Sequence, residues 1–383
     1  MAAGDIGIIG YGQTDYVKRT ERTLIDLLAE AARRALVSAG VRLSDIDGIA
    51  VCSFELPPDN AVTLAEQLGI SVSWAYLGTA GSAGPVASVI NAVRAVETGH
   101  ASLVLCIAGD NYDVSGHFRL MNNFNRSLRN YGTPNGFGGA NGLFGIIQRK
   151  HMAMYGTQRE QLGRIAVDQR KSAQLNENAL LRTPLTLDDY LNSRMIADPL
   201  RLYDCVLPCV GAEAVVIGAV QRAPEDKGVR VLSGYERHNH PRQEIAPLRG
   251  GWELFRSHLY DDAGYGPEDM HFVQAYDDYP IMVAIQLEDL GFCKKGEVGA
   301  FLDQHTFSWD GNLPLNTGGG QLSCGQAGIG GGMLGVTEAV RQLRGEAGAR
   351  QVQRASRGLV SGYGMVGYGH GLSASAVILE KSA

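Results

Sequence analysis

Apolar positions in this chain follow two rhythms. From Thr23 to Val37 they recur every three to four residues (Leu24, Leu27, Leu28, Ala31, Ala32, Leu36), which predicts an amphipathic helix. Elsewhere they come as short unbroken runs: Ile49-Ala50-Val51, Leu103-Val104-Leu105-Cys106-Ile107, Ala214-Val215-Val216-Ile217 and Ala376-Val377-Ile378-Leu379. Runs of that length fit strands buried on both faces. Ile6-Gly7-Ile8-Ile9-Gly10 reads as a first strand. Glycine, 50 residues in all, clusters where strands hand over to helices, as an alternating α/β chain with close backbone packing requires.

The pattern nearly repeats. Ala39-Gly40-Val41-Arg42-Leu43-Ser44-Asp45-Ile46-Asp47-Gly48-Ile49-Ala50-Val51 returns without a gap as Ala263-Gly264-Tyr265-Gly266-Pro267-Glu268-Asp269-Met270-His271-Phe272-Val273-Gln274-Ala275. Further on, Val89-Ile90-Asn91-Ala92-Val93-Arg94 matches Val336-Thr337-Glu338-Ala339-Val340-Arg341. Each half reads as loop, buried strand, glycine-rich turn and apolar helix. Two such halves packed face to face bring helix N-termini and strand ends to a shared centre.

Between Asp110 and Asp204 the periodicity weakens. Residues 111–141 are rich in Asn, Gly, Arg and aromatics, the mark of a functional loop or a subunit contact. Helix resumes from Gln158 to Gln174, and Thr183 to Pro199 reads as a loop with a short helix. The composition shift at Ala223-Pro224-Glu225-Asp226 marks a boundary. The expected organisation is an N-terminal half over residues 1–225, with a loop insertion at about 111–200, and a C-terminal half over 226–383.

Composition narrows the function classes. Of 383 residues, 45% are hydrophobic and 19% charged, enough for a large core. Net charge is −6 with no basic block, so no nucleic-acid footprint is expected. No apolar run reaches membrane-span length, and Met1-Ala2-Ala3-Gly4-Asp5 has no basic n-region, so neither membrane nor signal peptide is expected. Six scattered Cys suit a reduced, cytoplasmic protein. Cys205 and Cys209 read either as a metal half-site or as two small hydrophobes at a strand entrance. No second pair or nearby His completes four ligands, so no metal is expected.

Four places carry candidate chemistry. Thr79-Ala80-Gly81-Ser82-Ala83-Gly84 opens the helix that runs to about Glu97, and its tip offers free N–H groups and positive potential. Ser82 there is either an N-cap or a nucleophile. Tyr276-Asp277-Asp278-Tyr279-Pro280 lies between a strand and the helix Ile281 to Leu290, with Asp278 placed to cap it. The stretch Asn316 to Gly328 is so glycine-rich that its backbone is expected to line a site. It has neither P-loop nor dinucleotide-fold spacing. Tyr363 to Gly371 precedes the last strand, and its His370 is either a titrating group or a solvated loop residue.

These landmarks, in this order, resemble the thiolase superfamily, in the branch similar to sterol-carrier-protein thiolases and lipid-transfer thiolase-like proteins. The likeness covers almost the whole chain. It includes Asp45-Ile46-Asp47-Gly48, Gly99-His100-Ala101-Ser102-Leu103-Val104-Leu105, Leu287-Glu288-Asp289-Leu290-Gly291 and Pro314-Leu315-Asn316-Thr317-Gly318-Gly319. It implies an α/β fold of two pseudo-repeated βαβαβ halves in a layered αβαβα architecture.

The chain departs from the family where the chemistry sits. Family thiolases carry a nucleophilic Cys at the position of Ser82, a His at Tyr276, a second His at or near Gln326 and a C-terminal Cys near Tyr368. A Ser hydroxyl needs an adjacent base, and both expected His residues are gone, so covalent thiolysis is not expected. What remains is a pocket able to hold a thioester carbonyl as it becomes an enolate. Its expected contacts are Gly81, Gly84, Asn316, Gly318, Gly319 and Gly325. Retro-aldol cleavage of a β-hydroxyacyl-CoA needs this equipment without a nucleophile. Tyr276, Tyr279, Tyr368 and His370 are then the acids or bases. A Tyr base would need a depressed pKa, whereas a Tyr acid would not. Two alternatives stay open: an acyltransferase with Ser82 or Cys324 as nucleophile, and a non-catalytic acyl-CoA or lipid-binding subunit.

The resemblance implies a coenzyme A thioester as substrate, with no tightly bound cofactor. It also implies a homodimer, expected to meet across edge strands near Leu103 to Ile107, and a small zinc-ribbon/OB-fold partner protein like that of thiolase-like steroid side-chain aldolases. The stretch Ser115 to Gly138, with Phe118, Arg119, Phe124, Arg126, Arg129 and Tyr131, reads as a cover for the acyl site, a contact for the CoA phosphates or a dimer-interface loop.

Overall fold

The computed structural model describes residues 5–122, 126–137, 139–242, 244–364 and 372–382. The first half runs β1 (Ile6–Gln13), α1 (Leu24–Ala39), β2 (Gly48–Cys52), α2 (Ala61–Leu68), β3 (Trp74–Leu77), α3 (Gly84–Glu97) and β4 (Val104–Asn111). An insertion follows: α4 (Val114–Asn122), α5 (Gly139–Tyr155), α6 (Arg159–Ala173), α7 (Leu187–Asn192) and a hairpin of β5 (Met195–Ala197) and β6 (Leu200–Arg201). β7 (Val210–Ala219) returns to the sheet. The second half runs β8 (Val229–His238), α8 (Trp252–Ala263), β9 (Phe272–Gln274), α9 (Pro280–Asp289), α10 (Val298–Gln304), α11 (Gly320–Cys324), α12 (Gly331–Leu343), β10 (Arg357–Gly364) and β11 (Ser373–Lys381).

The strand order is β3-β2-β4-β7-β1-β8-β11-β10-β9. The repeat is visible in that order. In the first half β3, β2 and β4 are parallel, and β7 and β1 follow antiparallel. In the second half β9 and β10 are parallel, and β11 and β8 follow antiparallel. A parallel bridge from Val273 to Leu315 stands where β3 stands in the first half. The halves join into one sheet through only two residue pairs, Gly7–Arg230 and Ile8–Val229.

Local chemistry explains the matched elements. Thr23 caps α1 through a capping box with Asp26, which is why the amphipathic pattern starts there. α1 and α8 end on Gly40 and Gly264, both left-handed at φ 65° and 73°. Glycine takes that conformation without a Cβ clash. Each then makes a single 3₁₀ turn, Leu43–Asp45 and Pro267–Asp269, before its strand.

α3 and α12 are buried on nearly every side, including Thr337, Glu338 and Gln342, whose polar groups are hydrogen-bonded within the core. They form the middle layer. One core cluster joins Val86, Val89 and Ile90 of α3 and Val336 and Val340 of α12 to the inner strand faces, including Ile6, Val104, Val360 and Val377. α1 covers the outer face of the first half-sheet, and α8 and α9 cover that of the second. The layered αβαβα order is therefore as expected. The expected dimer edge is corrected: β4 lies between β2 and β7, so Leu103 to Ile107 offers no free edge, and the outer strand of the first half is β3.

The packing of the two inner helices leaves no room at their tips. A Cβ on Gly332 would lie 2.2 Å from the carbonyl oxygen of Ser82. Gly332→Ala is therefore expected to cost about 1–3 kcal/mol through forced displacement of one tip. Thermal or denaturant unfolding checks this, and an unchanged midpoint would contradict it.

Candidate active site at the paired helix tips

The tips of α3 and α12 enter through 3₁₀ turns, Gly81–Ala83 and Gly328–Gly330, with Gly81 and Gly328 at φ 55° and 57°. Ser82 sits in the first turn and is 6% exposed. It is not the N-cap: Ala83 holds that position, without a side-chain cap. The Ser82 hydroxyl instead accepts a hydrogen bond of 2.8 Å from the Tyr276 phenol.

That bond begins a chain of polar groups. The Gln326 side-chain amide donates to the Tyr276 oxygen at 3.2 Å and to the Asp278 carboxylate at 2.6 Å. The Gln326 backbone is fixed on both sides, donating to Leu207 O at 2.8 Å and accepting from Cys209 N at 2.9 Å. The expectation that Asp278 caps α9 is also corrected. Tyr279 is the N-cap residue, and Asp278 turns into the cavity. Its neighbour Asp277 turns the other way and accepts from the backbone N–H groups of Gln321 and Leu322, at 2.9 and 3.2 Å.

The ionisation of these groups follows from their surroundings. Burial pushes the Asp278 carboxyl up to about 7, against the opposing effect of its bonds from Tyr276 and Gln326. Burial, and then the charge of Asp278, hold the Tyr276 phenol well above its usual range. Tyr279 is raised in the same way, first by burial. Its hydroxyl donates to Asn141 at 2.6 Å and its ring stacks on Phe144 at 4.7 Å. Neither tyrosine fits the role of base considered from the sequence. Both stay protonated donors, and the carboxylate of Asp278 is the group poised to take a proton.

These residues line one wall of a cavity of about 260 Å³. Gly81 and Ser82 form the tip wall with Tyr276, Asp278, Tyr279 and Gln326. The insertion forms the facing wall with Tyr112, His117, Phe118, Met121, Leu143 and Phe144. The stretch after β4 thus covers the cavity, through Phe118, Met121, Leu128 and Phe137. Phe124, read as part of that cover, lies outside the described residues, as do Tyr368 and His370.

The other glycines and Cys324 fall elsewhere. A Cβ on Gly84 would meet Cys52, one on Gly319 would meet Ala173, and one on Gly325 would meet Cys209. Asn316 and Gly318 line a separate space of about 20 Å³ together with Cys324. Gly84, Asn316, Gly318, Gly319 and Gly325 are not among the residues lining the larger cavity, and the smaller space beside Asn316 and Gly318 shares Tyr276 with it. Cys324 is buried with its thiol on the Gly318 carbonyl, 3.1 Å away, and burial holds the thiol far above its usual range. It is not part of the cavity wall and not an activated thiolate. Among the described residues no cluster of three or more His, Cys, Asp or Glu side chains could hold a metal ion.

Tyr112 and His117 are polar cavity residues that sequence reasoning did not single out, and Asp278 was read as a helix cap and not as a cavity group.

Comparison with known proteins bears on the family and the fold. A family model described as thiolase C-terminal domain-like matches residues 256–381. The chain is 33% identical over 365 residues to a 17-hydroxy-3-oxo-4-pregnene-20-carboxyl-CoA lyase of Mycobacterium tuberculosis, across 90% of this chain and 93% of that one. It is also 33% identical over 364 residues to a steroid side-chain-cleaving aldolase of Thermomonospora curvata, across 89% of this chain and 91% of the other. Among solved structures, one described as Ltp2-ChsH2(DUF35) aldolase matches with a TM-score of 0.84 at 29% identity, across 100% of this chain and 99% of that one.

The electrostatics make one expectation for the resting protein. The Asp278 carboxyl titrates near 7, and Gln326→Leu moves its midpoint upward by removing a donor to the charged form. Carbon-detected NMR of the aspartate carboxyls reads this. A midpoint near the ordinary value for Asp, or a downward shift in the variant, would contradict it.

Proposed function

The chain belongs to the thiolase superfamily, in the branch of sterol-carrier-protein-type thiolases and steroid side-chain-cleaving aldolases, and on that premise we propose that it splits a β-hydroxyacyl-CoA by retro-aldol cleavage. The products are a carbonyl compound and a shorter acyl-CoA. The observation that supports this most is the partner of Ser82. The hydroxyl at the helix tip accepts from a phenol whose ionisation is suppressed, so no base is placed to activate it as a nucleophile.

The steps use this chain's own groups. The thioester carbonyl sits at the tip of α3, where the Ser82 hydroxyl, its oxygen held by the Tyr276 phenol, offers its own proton and the helix offers positive potential. Asp278 takes the proton from the β-hydroxyl. The O–H pair becomes the new C=O bond, the Cα–Cβ bond breaks, and its pair enters the thioester enolate. Asp278 then returns the proton to Cα and is a carboxylate again. Atoms and charge balance, and no acyl group passes through the enzyme. Gln326 orients Tyr276 and Asp278 toward the same substrate, because one amide bonds both.

The facing wall is mostly apolar and aromatic, which suits a bulky hydrocarbon beyond Cβ. The names of the relatives make a steroid acyl-CoA the first substrate class to test. We further infer a small zinc-ribbon/OB-fold partner. The name of the solved neighbour points to one. The apolar rim fits its docking: Val114, Phe118 and Leu202 line the cavity yet are 44%, 60% and 41% exposed. A homodimer through the outer edge of β3 and a cytoplasmic setting complete the reading, the latter in keeping with six unpaired cysteines.

Incubation with β-hydroxyacyl-CoAs is expected to release a carbonyl product and a shorter acyl-CoA, with CoA thiol neither freed nor consumed. Tyr276→Phe lowers kcat about 100-fold or more, because Ser82 loses the bond that orients its donor to the developing oxyanion. Cys324→Ala leaves kcat unchanged. An acyl group found on any side chain by intact-mass spectrometry would refute the mechanism. kcat/KM rises with pH through about 7 and then levels, because the base works only as the carboxylate. A profile falling across that range would count against Asp278.

A further inference from the structure

Tyr112 follows the last residue of β4 and lines the cavity on the side facing the helix tips. Its side chain is 4% exposed, and no hydrogen bond joins its hydroxyl to another described residue. A hydroxyl on a cavity wall with no protein partner is free to donate to a ligand bound there.

The backbone before it is fixed. The Asp110 carboxylate accepts from Ser53 Oγ at 2.6 Å, from the N–H groups of Phe54 and Glu55 at 2.8 and 3.1 Å, and from Ile329 N at 2.8 Å. Asn111 is bonded through its N–H to the Glu55 carboxylate and through its side chain to Arg22 O. The His117 ring lies 5.9 Å from the Tyr112 ring and does not bond it. Burial first, and then the charges of Asp110 and Asp278, hold the Tyr112 phenol well above its usual range, so it keeps its proton and can donate to an anion.

We propose that Tyr112 is a catalytic residue that donates a hydrogen bond to the β-oxygen of the substrate. This rests on the retro-aldol reading and deepens it. Asp278 with its conjugate acid near neutrality is a weak base for an alcohol. A phenol donating into the same oxygen stabilises the charge that develops as the O–H bond opens. It stays bonded to the oxygen when that becomes the carbonyl of the departing product. Tyr112 keeps its own proton throughout. The cavity then has two polar poles: Ser82, oriented by Tyr276, holds the thioester oxygen, and Tyr112 with Asp278 holds the β-oxygen.

The test compares wild type with Tyr112→Phe, which keeps the ring, on the full chain with any co-purifying partner. A β-hydroxyacyl-CoA and its 3-deoxy analogue are bound to each by calorimetry. In Tyr112→Phe the hydroxy ligand is expected to lose about 10-fold in affinity while the deoxy analogue is unchanged. Turnover falls about 100-fold. Equal weakening of both ligands, or no weakening of either, overturns the assignment, because a merely structural role moves both together. Carbonyl release by wild type is scored separately. If it fails while the hydroxy-selective loss remains, the reaction assignment is wrong and the Tyr112 contact stands.

Discussion

The centre of this molecule depends on two helix tips being able to touch. α3 and α12 are buried along nearly their whole length and are enclosed between the half-sheets. Enclosure brings their N-termini together, where side chains of any size would collide. The turns are therefore nearly bare, and Gly332 meets the Ser82 carbonyl with no room for a Cβ. Two sets of unsatisfied N–H groups then point at neighbouring space. Asp110 crosses between the halves to satisfy one of them, at Ile329. Positive potential, an apolar surround and a hydroxyl in the first turn are consequences of that single packing requirement.

From there the chemistry follows by exclusion. A thiol at such a tip would be activated by the helix, but a serine gains little and has no base beside it. Its neighbour is a tyrosine whose proton burial holds in place. The same burial raises the carboxyl of Asp278 to where it exchanges protons near neutrality. Desolvation thus assigns the roles, keeping phenols as donors and making one carboxylate the acceptor.

Much of this was legible in the chain, and the parts that were not share a cause. The repeat, α1 with its Thr23 cap, the buried strands and α3 are written in local spacing, because burial on two faces and left-handed turns restrict residue types directly. Ser82 and Tyr276 were found by register. Asp277 and Asp278 could not be separated, since which carboxylate meets backbone N–H groups and which meets the cavity is decided by the turn before α9 and by Gln326, 48 residues away. The glycines from 318 to 325 mark close approach, but sequence does not say to what; a Cβ there would meet Glu338 at Gly318, Ala173 at Gly319, Asp277 at Gly320 and Cys209 at Gly325. Tyr112 carried no signal because its significance is an unfilled bond, visible only once its surroundings are known.

The cavity has two owners. One wall comes from the repeated framework and carries Ser82, Tyr276, Asp278 and Gln326. The other comes largely from a stretch spliced between β4 and β7, absent from the second half, and carries most of the shape. Lineages are therefore free to exchange that stretch for another and inherit the same bond-breaking apparatus with a new appetite. Diversification of substrate need not reopen the chemistry, and ancestry traced through one wall need not foretell what the other admits.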